Sequence, residues 1–325
     1  GCDFLYYWNH RCGHEIAVMW AAHAVHHQSE EFNLATALRQ SSTSPLFGGI
    51  FYLPLAVLGI PPKVFVAAAL VVLLYQYWIH TAVIGRLGWF DRVFASPSNH
   101  RVHHGINPAY LDRNYGGILI LWDRLFGTFT EERDDDPPVF GTRTPFHSLD
   151  PLRANFEGYR TLAREAARVG RWLDKLRVWF MPPGWQPPGS ALVPAKLPPD
   201  PSRRQPYRPA VTRPWRDYAL IQFALLILAS TAVLAVARAL RLMDLVAVSL
   251  WLVLSFASVC ALLEGRRRAV GFEGVRLAAG LLGVSVYGFL SGMPDVVRGI
   301  VAIVMTASLA ALWLLRRRVA TMPMH

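Results

Sequence analysis

His10-Arg11-Cys12-Gly13-His14-Glu15 is followed closely by His23-Ala24-Val25-His26-His27, and the pattern returns as His100-Arg101-Val102-His103-His104. With the single His80 between them, these stretches hold nine of the eleven histidines. Neutral imidazole is the commonest metal ligand, binding through one ring nitrogen while a neighbour holds the other. One histidine alone is ordinarily a core or surface residue. A repeated His-x2-His-His preceded by His-x3-His is hard to obtain by chance. Crowded imidazoles would also repel one another once protonated, so a metal gives the crowding a physical reason. With no paired cysteines nearby, this donor set suits iron, zinc or copper, and more than one ion.

The spacing constrains the backbone. His10 and His14 stand at i and i+4, as do His23 and His27, so each pair shares a helix face. Nine residues separate His14 from His23, and nine steps turn a straight helix by about half a revolution. One straight helix therefore cannot aim both pairs at one site. A bend or a second helix has to intervene, although Glu15 to Ala22 holds no Gly or Pro to locate it.

Working outward, the 325 residues are 53% hydrophobic and mean hydropathy is +0.27, which places the chain in the membrane class. A net charge of +11 raises the question of nucleic acid. No aromatic-basic module or zinc-finger spacing supports that partner, and arginines flanking apolar runs are explained by membrane topology. Cys2, Cys12 and Cys260 are too few and scattered for a disulfide framework, consistent with a metal side facing a reducing compartment. No signal-peptide pattern is visible, and the metal motif starts within ten residues of Gly1. Further helices are expected ahead of it to place His10.

Leu46 to Ile60 and Val64 to Ile79 are apolar runs joined by Pro61-Pro62-Lys63. Each is short against the ~20 residues of a full span, and together they predict a helical hairpin, spanning or re-entrant. Such a hairpin returns the chain to the face it left, so that His80 joins the other histidines. From Gly85 to Arg216 no run is long enough to span, and prolines crowd the later part. Four apolar segments follow, about Tyr218 to Ala237, Leu242 to Leu263, Val275 to Leu290 and Val297 to Leu315. Arg266-Arg267-Arg268 and Arg316-Arg317-Arg318 follow the second and fourth, and the positive-inside rule puts both triplets, with the histidines, on the cytoplasmic side. These spans show no chemistry-bearing cluster and are read as an anchor or accessory bundle.

Other motifs narrow the chemistry, with haem the serious competitor. His14-Glu15 lacks the second histidine of a helical zinc-peptidase motif, and no P-loop, dinucleotide fingerprint or nucleophile elbow is present. Haem held by facing histidines needs single residues within spans, which adjacent His-His doublets at a membrane border fit poorly.

His10-x3-His14, His23-x2-His26-His27 and His100-x2-His103-His104 resemble the histidine boxes of the fatty acid hydroxylase/sterol desaturase superfamily. Asn114-Tyr115-Gly116 and Trp122-Asp123-Arg124-Leu125-Phe126-Gly127-Thr128 are similar to elements that follow the last box there. Within the superfamily the chain is most similar to the alkylglycerol monooxygenases. That likeness rests on Met19-Trp20-Ala21, Asn33-Leu34-x-Thr36-Ala37-Leu38-Arg39-Gln40 and Gln76-x-Trp78-Ile79-His80-Thr81. Asn99 departs from the pattern, standing where a further ligand would be expected.

The resemblance implies a di-iron monooxygenase of an internal membrane, either the bacterial inner membrane or the endoplasmic reticulum. It would use O2 and tetrahydrobiopterin to hydroxylate the ether-bearing carbon of an O-alkylglycerol. The product would collapse to a fatty aldehyde. Another hydroxylase or desaturase of the superfamily, or a non-catalytic metal- or haem-binding membrane protein, stands as the alternative.

The expected architecture is all-α: a histidine-box domain over residues 1–150, a Pro-rich connector over 151–215 and a membrane bundle of about four helices over 216–325. The expected metal ligands or their immediate neighbours are His10, His14, His23, His26, His27, His80, His100, His103 and His104. Glu15, Glu30, Asn33, Asp112, Asn114 and Asp123 are candidates for orienting imidazoles or closing the site. Glu30 is equally readable as a solvated charge, and His147 as a structural or exposed residue.

Overall fold

The helical break demanded by the histidine spacing lies at Ile16. In the computed structural model, which describes residues 1–188, 204–288 and 293–320, Ile16 is extended (φ −114°, ψ 122°) and divides α1 (Cys2–Glu15) from α2 (Ala17–His27). No Gly or Pro makes this break. The Ala17 N–H donates instead to the Met181 carbonyl at 3.0 Å, so a distant segment takes the backbone donor that a continuous helix would have used.

Among the described residues the chain is all-helical, with two isolated β-bridges and no strand. It forms two compact units, Gly1–His147 with Arg153–Tyr207, and Ser148–Leu152 with Arg208–His325.

In the first unit, Asn33 caps the short α3 (Leu34–Leu38) through a reciprocal capping box with Thr36. The apolar hairpin follows. Its first arm is broken into α4 (Ser44–Gly48), a 3₁₀ turn (Gly49–Tyr52) and α5 (Leu53–Val57). At 1.5 Å per residue this arm reaches roughly 20 Å, short of the ~30 Å hydrocarbon core. Its second arm, α6 (Pro62–Ile79), is long and apolar enough to cross a membrane. Tyr52 and Phe65 meet across the hairpin at 5.0 Å between ring centroids. Then come α7 (Phe90–Val93), α8 (Pro97–His104) and α9 (Leu121–Phe126). Ser96 caps α8 by accepting from the Asn99 N–H, with Pro97 in the first turn.

Much of the stretch expected to be a Pro-rich connector is helical, as α10 (Pro151–Arg168) and α11 (Trp172–Phe180); its residues 189–203 lie outside the described residues. Leu162, Ala166, Val169 and Val178 bury against Ala17 and Ala21 of α2. A side chain at Gly158 would come within 2.9 Å of Ala21, so glycine is what lets α10 lie directly on α2. That backing positions the histidine helix, and it was hidden because small residues at a helix crossing carry little sequence signal.

The second unit packs α12 (Arg213–Val236), α13 (Leu242–Leu263), α14 (Ala269–Leu282) and α15 (Asp295–Ala320) around Leu226, Leu252, Val259, Leu277 and Met305. Each contains a stretch long and apolar enough to span, giving five such helices among the described residues. The sequence shows four spans with no chemistry-bearing cluster, read as an anchor or accessory bundle. To these the structure adds a buried polar network that joins all four helices. Glu273 pairs with Arg276 at 2.6 Å and accepts from the Tyr218 hydroxyl at 3.0 Å and the Ser258 hydroxyl at 2.7 Å. Arg276 also donates to Gln222 at 2.9 Å, and Gln222 to Ser308 at 2.8 Å. Such groups are costly in hydrocarbon unless partnered.

Removing one partner of a buried pair should therefore cost about 3–5 kcal/mol, whereas replacing both by apolar residues should be far milder. Detergent thermal melts of Glu273→Ala against Glu273→Met/Arg276→Leu test this. Equal losses in both variants would show that the network is not acting as a pair.

Candidate metal centre

Three helices and one helix end converge on the nine histidines. His10 and His14 of α1, His23 and His27 of α2 and His103 of α8 form one set. His26 of α2, His80 at the end of α6, and His100 and His104 of α8 form the other. Within each set one ligating atom per residue lies within 4.8 Å of all the others. The arrangement follows from helical geometry. On α2 the i,i+4 pair His23/His27 faces the first set and His26 the second. On α8 the pair His100/His104 faces the second set and His103 the first. The sets adjoin where the His27 and His104 rings stack at 4.2 Å. Asn99 lies outside both sets, donating to the Asp91 and Phe94 carbonyls and bracing the start of α8.

Backbone carbonyls decide which nitrogen faces inward. His10 Nδ1 donates to Tyr115 O at 2.9 Å, His103 Nδ1 to Arg113 O at 2.9 Å, His26 Nδ1 to Arg39 O at 3.2 Å and His80 Nδ1 to Gln76 O at 2.6 Å. A carbonyl only accepts, so each neutral ring carries its proton on Nδ1 and turns a bare Nε2 lone pair inward. His80 Nε2 and His26 Nε2 then face each other at 3.1 Å with no proton between them. The Nε2 atoms of His14, His103 and His104 are buried without a partner. Lone pairs converging in a dry site are unfavourable unless a cation joins them. The residues of each set could hold a metal ion.

Burial, with repulsion from neighbouring imidazoles, holds these rings neutral. It lowers His10 to about 4, and desolvation and the facing His80 lower His26 to about 3. Desolvation takes His80 to about 4, and His14, His23, His27, His100, His103 and His104 are also pushed down.

The remaining candidates separate by position. Asp123, fully buried, accepts from the Tyr115 and Gly116 N–H groups at 2.7 Å each and from the Thr128 hydroxyl at 2.6 Å. It thereby fixes the carbonyl that holds His10. Any side chain at Gly116 would meet the Leu119 carbonyl at 2.6 Å. Asn114, left-handed at φ 57°, staples the same loop through the Asn99 and Thr130 backbone. Asp112 lies 3.5 Å from His14 Nδ1.

The other three sit farther out. Glu15 pairs with Arg11 at a half-exposed position, and Asn33 serves as a helix cap. Glu30 is neither a solvated charge nor part of the histidine sets; it binds Arg204 at 2.9 Å and the Tyr207 N–H.

Sequence reasoning missed three supports. Arg101, between two site histidines, is clamped by Glu132 and donates to the Thr81 and Ile84 carbonyls. Arg39 donates to the Val25 carbonyl and to Gln28, holding the strand of chain that meets His26. Asp3 gathers the Ile118 and Leu119 N–H groups and the Trp122 indole. The His-Arg-x-His-His pattern was the available signal for the first.

Residues 1–128, which contain all nine histidines, match the family model described as fatty acid hydroxylase. Over a longer stretch, the chain is 37% identical over 277 residues to the alkylglycerol monooxygenase of Homo sapiens, covering 85% of this chain and 62% of that protein. It is 39% identical over 277 residues to that of Danio rerio, covering 85% of this chain and 61% of the relative. An ornithine lipid hydroxylase of Rhizobium tropici is 34% identical over 128 residues, 39% of each chain. The chain thus spans about three-fifths of the length of the alkylglycerol monooxygenases it matches. No solved structure matches it.

Two outcomes are expected of the histidine region. Asp123→Ala frees the loop behind His10 and should weaken metal binding 10–100-fold, measured by competition with a chelator; unchanged affinity would show that the loop holds itself. Metal-free protein should lose stability as pH falls from about 6.5 toward 4. Its histidines sit below their ordinary 6.5, so in that window the unfolded chain binds more protons than the folded one. A flat unfolding profile across it would contradict neutral burial.

Proposed function

We propose that the chain is the core of a di-iron membrane monooxygenase that hydroxylates the alkyl chain of a lipid, with O-alkylglycerol ether cleavage as its reaction. The observation carrying this reading is the pair of adjoining, buried, all-histidine sets whose Nε2 lone pairs converge. The likeness to proteins named alkylglycerol monooxygenase supports the substrate. Iron in both sets would supply the redox chemistry with O2.

The chain's own residues bind and orient. Carbonyls of Tyr115, Arg113, Arg39 and Gln76 fix four imidazoles in the ligating tautomer. Burial of eight of the nine imidazoles keeps water from their ligating nitrogens. The balance of the reaction is one C–H bond replaced by C–OH at the ether carbon, the second oxygen atom leaving as water. Two electrons come from tetrahydrobiopterin. The resulting hemiacetal breaks its C–O bond to release a fatty aldehyde and a glycerol.

The five apolar helices suit an integral membrane protein. The arginine triplets support a cytoplasmic metal side in a bacterial inner membrane or the endoplasmic reticulum. A second reading, hydroxylation of another lipid by the same centre, is favoured by the match to an ornithine lipid hydroxylase over the histidine region.

The test supplies membranes containing the protein with a 1-O-alkylglycerol and tetrahydrobiopterin as sole reductant. O2-dependent aldehyde release that is lost in His103→Ala is expected. Iron binding without aldehyde, but with oxidation of another lipid, would select the second reading. Bound metal with no O2 consumption on any lipid would overturn both.

A further inference from the structure

The five-histidine set has an open side. Of the nine histidines, eight are buried and His23 is only partly so. A cavity of about 140 Å³ lies against it, lined by His10 and His23 together with Asn9, Met19, Gln40 and Phe47 among others. No residue of the four-histidine set lines it. The wall mixes the apolar Met19, Ala22 and Phe47 with the amides of Asn9 and Gln40, as ligand cavities do.

Size decides what can enter. A cavity of ~150 Å³ holds one benzene, so this one takes roughly six carbon atoms and not a whole lipid. The remainder of any lipid must lie outside. Phe47 belongs to α4, whose neighbours Leu46, Ile50, Leu53, Val57 and Leu58 are 57–87% exposed in the apolar hairpin. An exposed apolar row of this kind marks a lipid-facing surface. At Gly48, a Cβ would lie 3.4 Å from Asn9 Nδ2, so α4 rests directly on α1 and carries Phe47 at a fixed depth.

We propose that this cavity receives the reacting segment of a lipid alkyl chain, threaded from the α4–α5 face to His10 and His23. Phe47 and Met19 set which carbon is presented, and Asn9 and Gln40 take the polar linkage. The inference rests on the lipid-monooxygenase reading and adds the route, the reacting side and the specificity residues. The lipid meets the five-histidine set, and the four-histidine set stays behind it.

The test is photo-labelling of the full chain, metal-free and iron-loaded, with 1-O-alkylglycerols carrying one diazirine at a chosen carbon. A diazirine near the ether should label Met19 and Phe47. One farther along the chain should label Leu53 or Val57. Labelling confined to the outer face wherever the diazirine stands would overturn the proposal. In the iron-loaded protein, Phe47→Ala should shift kcat/KM toward branched chains by about tenfold, within the range for a changed apolar pocket. Phe47→Trp should depress turnover with iron content unchanged; unaltered selectivity and turnover in both variants would also overturn it. If the wild type oxidises lipid while labelling misses the cavity, the route fails and the function stands. If no lipid is oxidised, the function fails, and labelling of the metal-free protein still decides the cavity.

Discussion

Bare lone pairs aimed at one another govern this protein. His26 and His80 each give their only proton to a backbone carbonyl, and their other nitrogens then meet at 3.1 Å. Without a cation such an arrangement is held only by the surrounding fold. Most of the first unit can be read as the apparatus that holds it. Asp3 and Asp123 shape the loop that presents the Tyr115 carbonyl, and Arg101 with Glu132 fixes the helix bearing three of the histidines. Asp123 reaches His10 through the Tyr115 peptide, so a charged residue outside the histidine sets still positions an imidazole.

The division of labour between the two units rests on different chemistry. In the first, buried polar groups are deliberately left with unused lone pairs. In the second, the Glu273–Arg276 network is saturated by Tyr218, Ser258 and Gln222. An unsatisfied cluster asks for a ligand, whereas a satisfied one in hydrocarbon ties helices together. The second unit is thereby consistent with an anchor whose register is specified by charge.

How much could be read from residues alone follows the same logic. The His-x3-His and His-x2-His-His spacings contain the helical faces, the need for a break between His14 and His23, and the convergence of nine rings. Apolar runs of sufficient length announce helices such as Leu242–Leu263. Assignment of each ring to one of two sets was not legible, because it depends on how α2 and α8 rotate against each other. The place of the break was hidden too, since Ile16 is extended through a contact with Met181 and not through its own chemistry. Glu30 looked like a surface charge because its partners, Arg204 and the Tyr207 backbone, lie far along the chain.

The contact between Ala17 and Met181 also bears on biosynthesis. The chain leaves the ribosome from its N-terminus at about 5–20 residues per second, and α2 is made long before residue 181. For on the order of ten seconds the first two histidine boxes exist without the segment that locks the angle between them. The angle between the two histidine helices is thus settled only once α10 and α11 have been made.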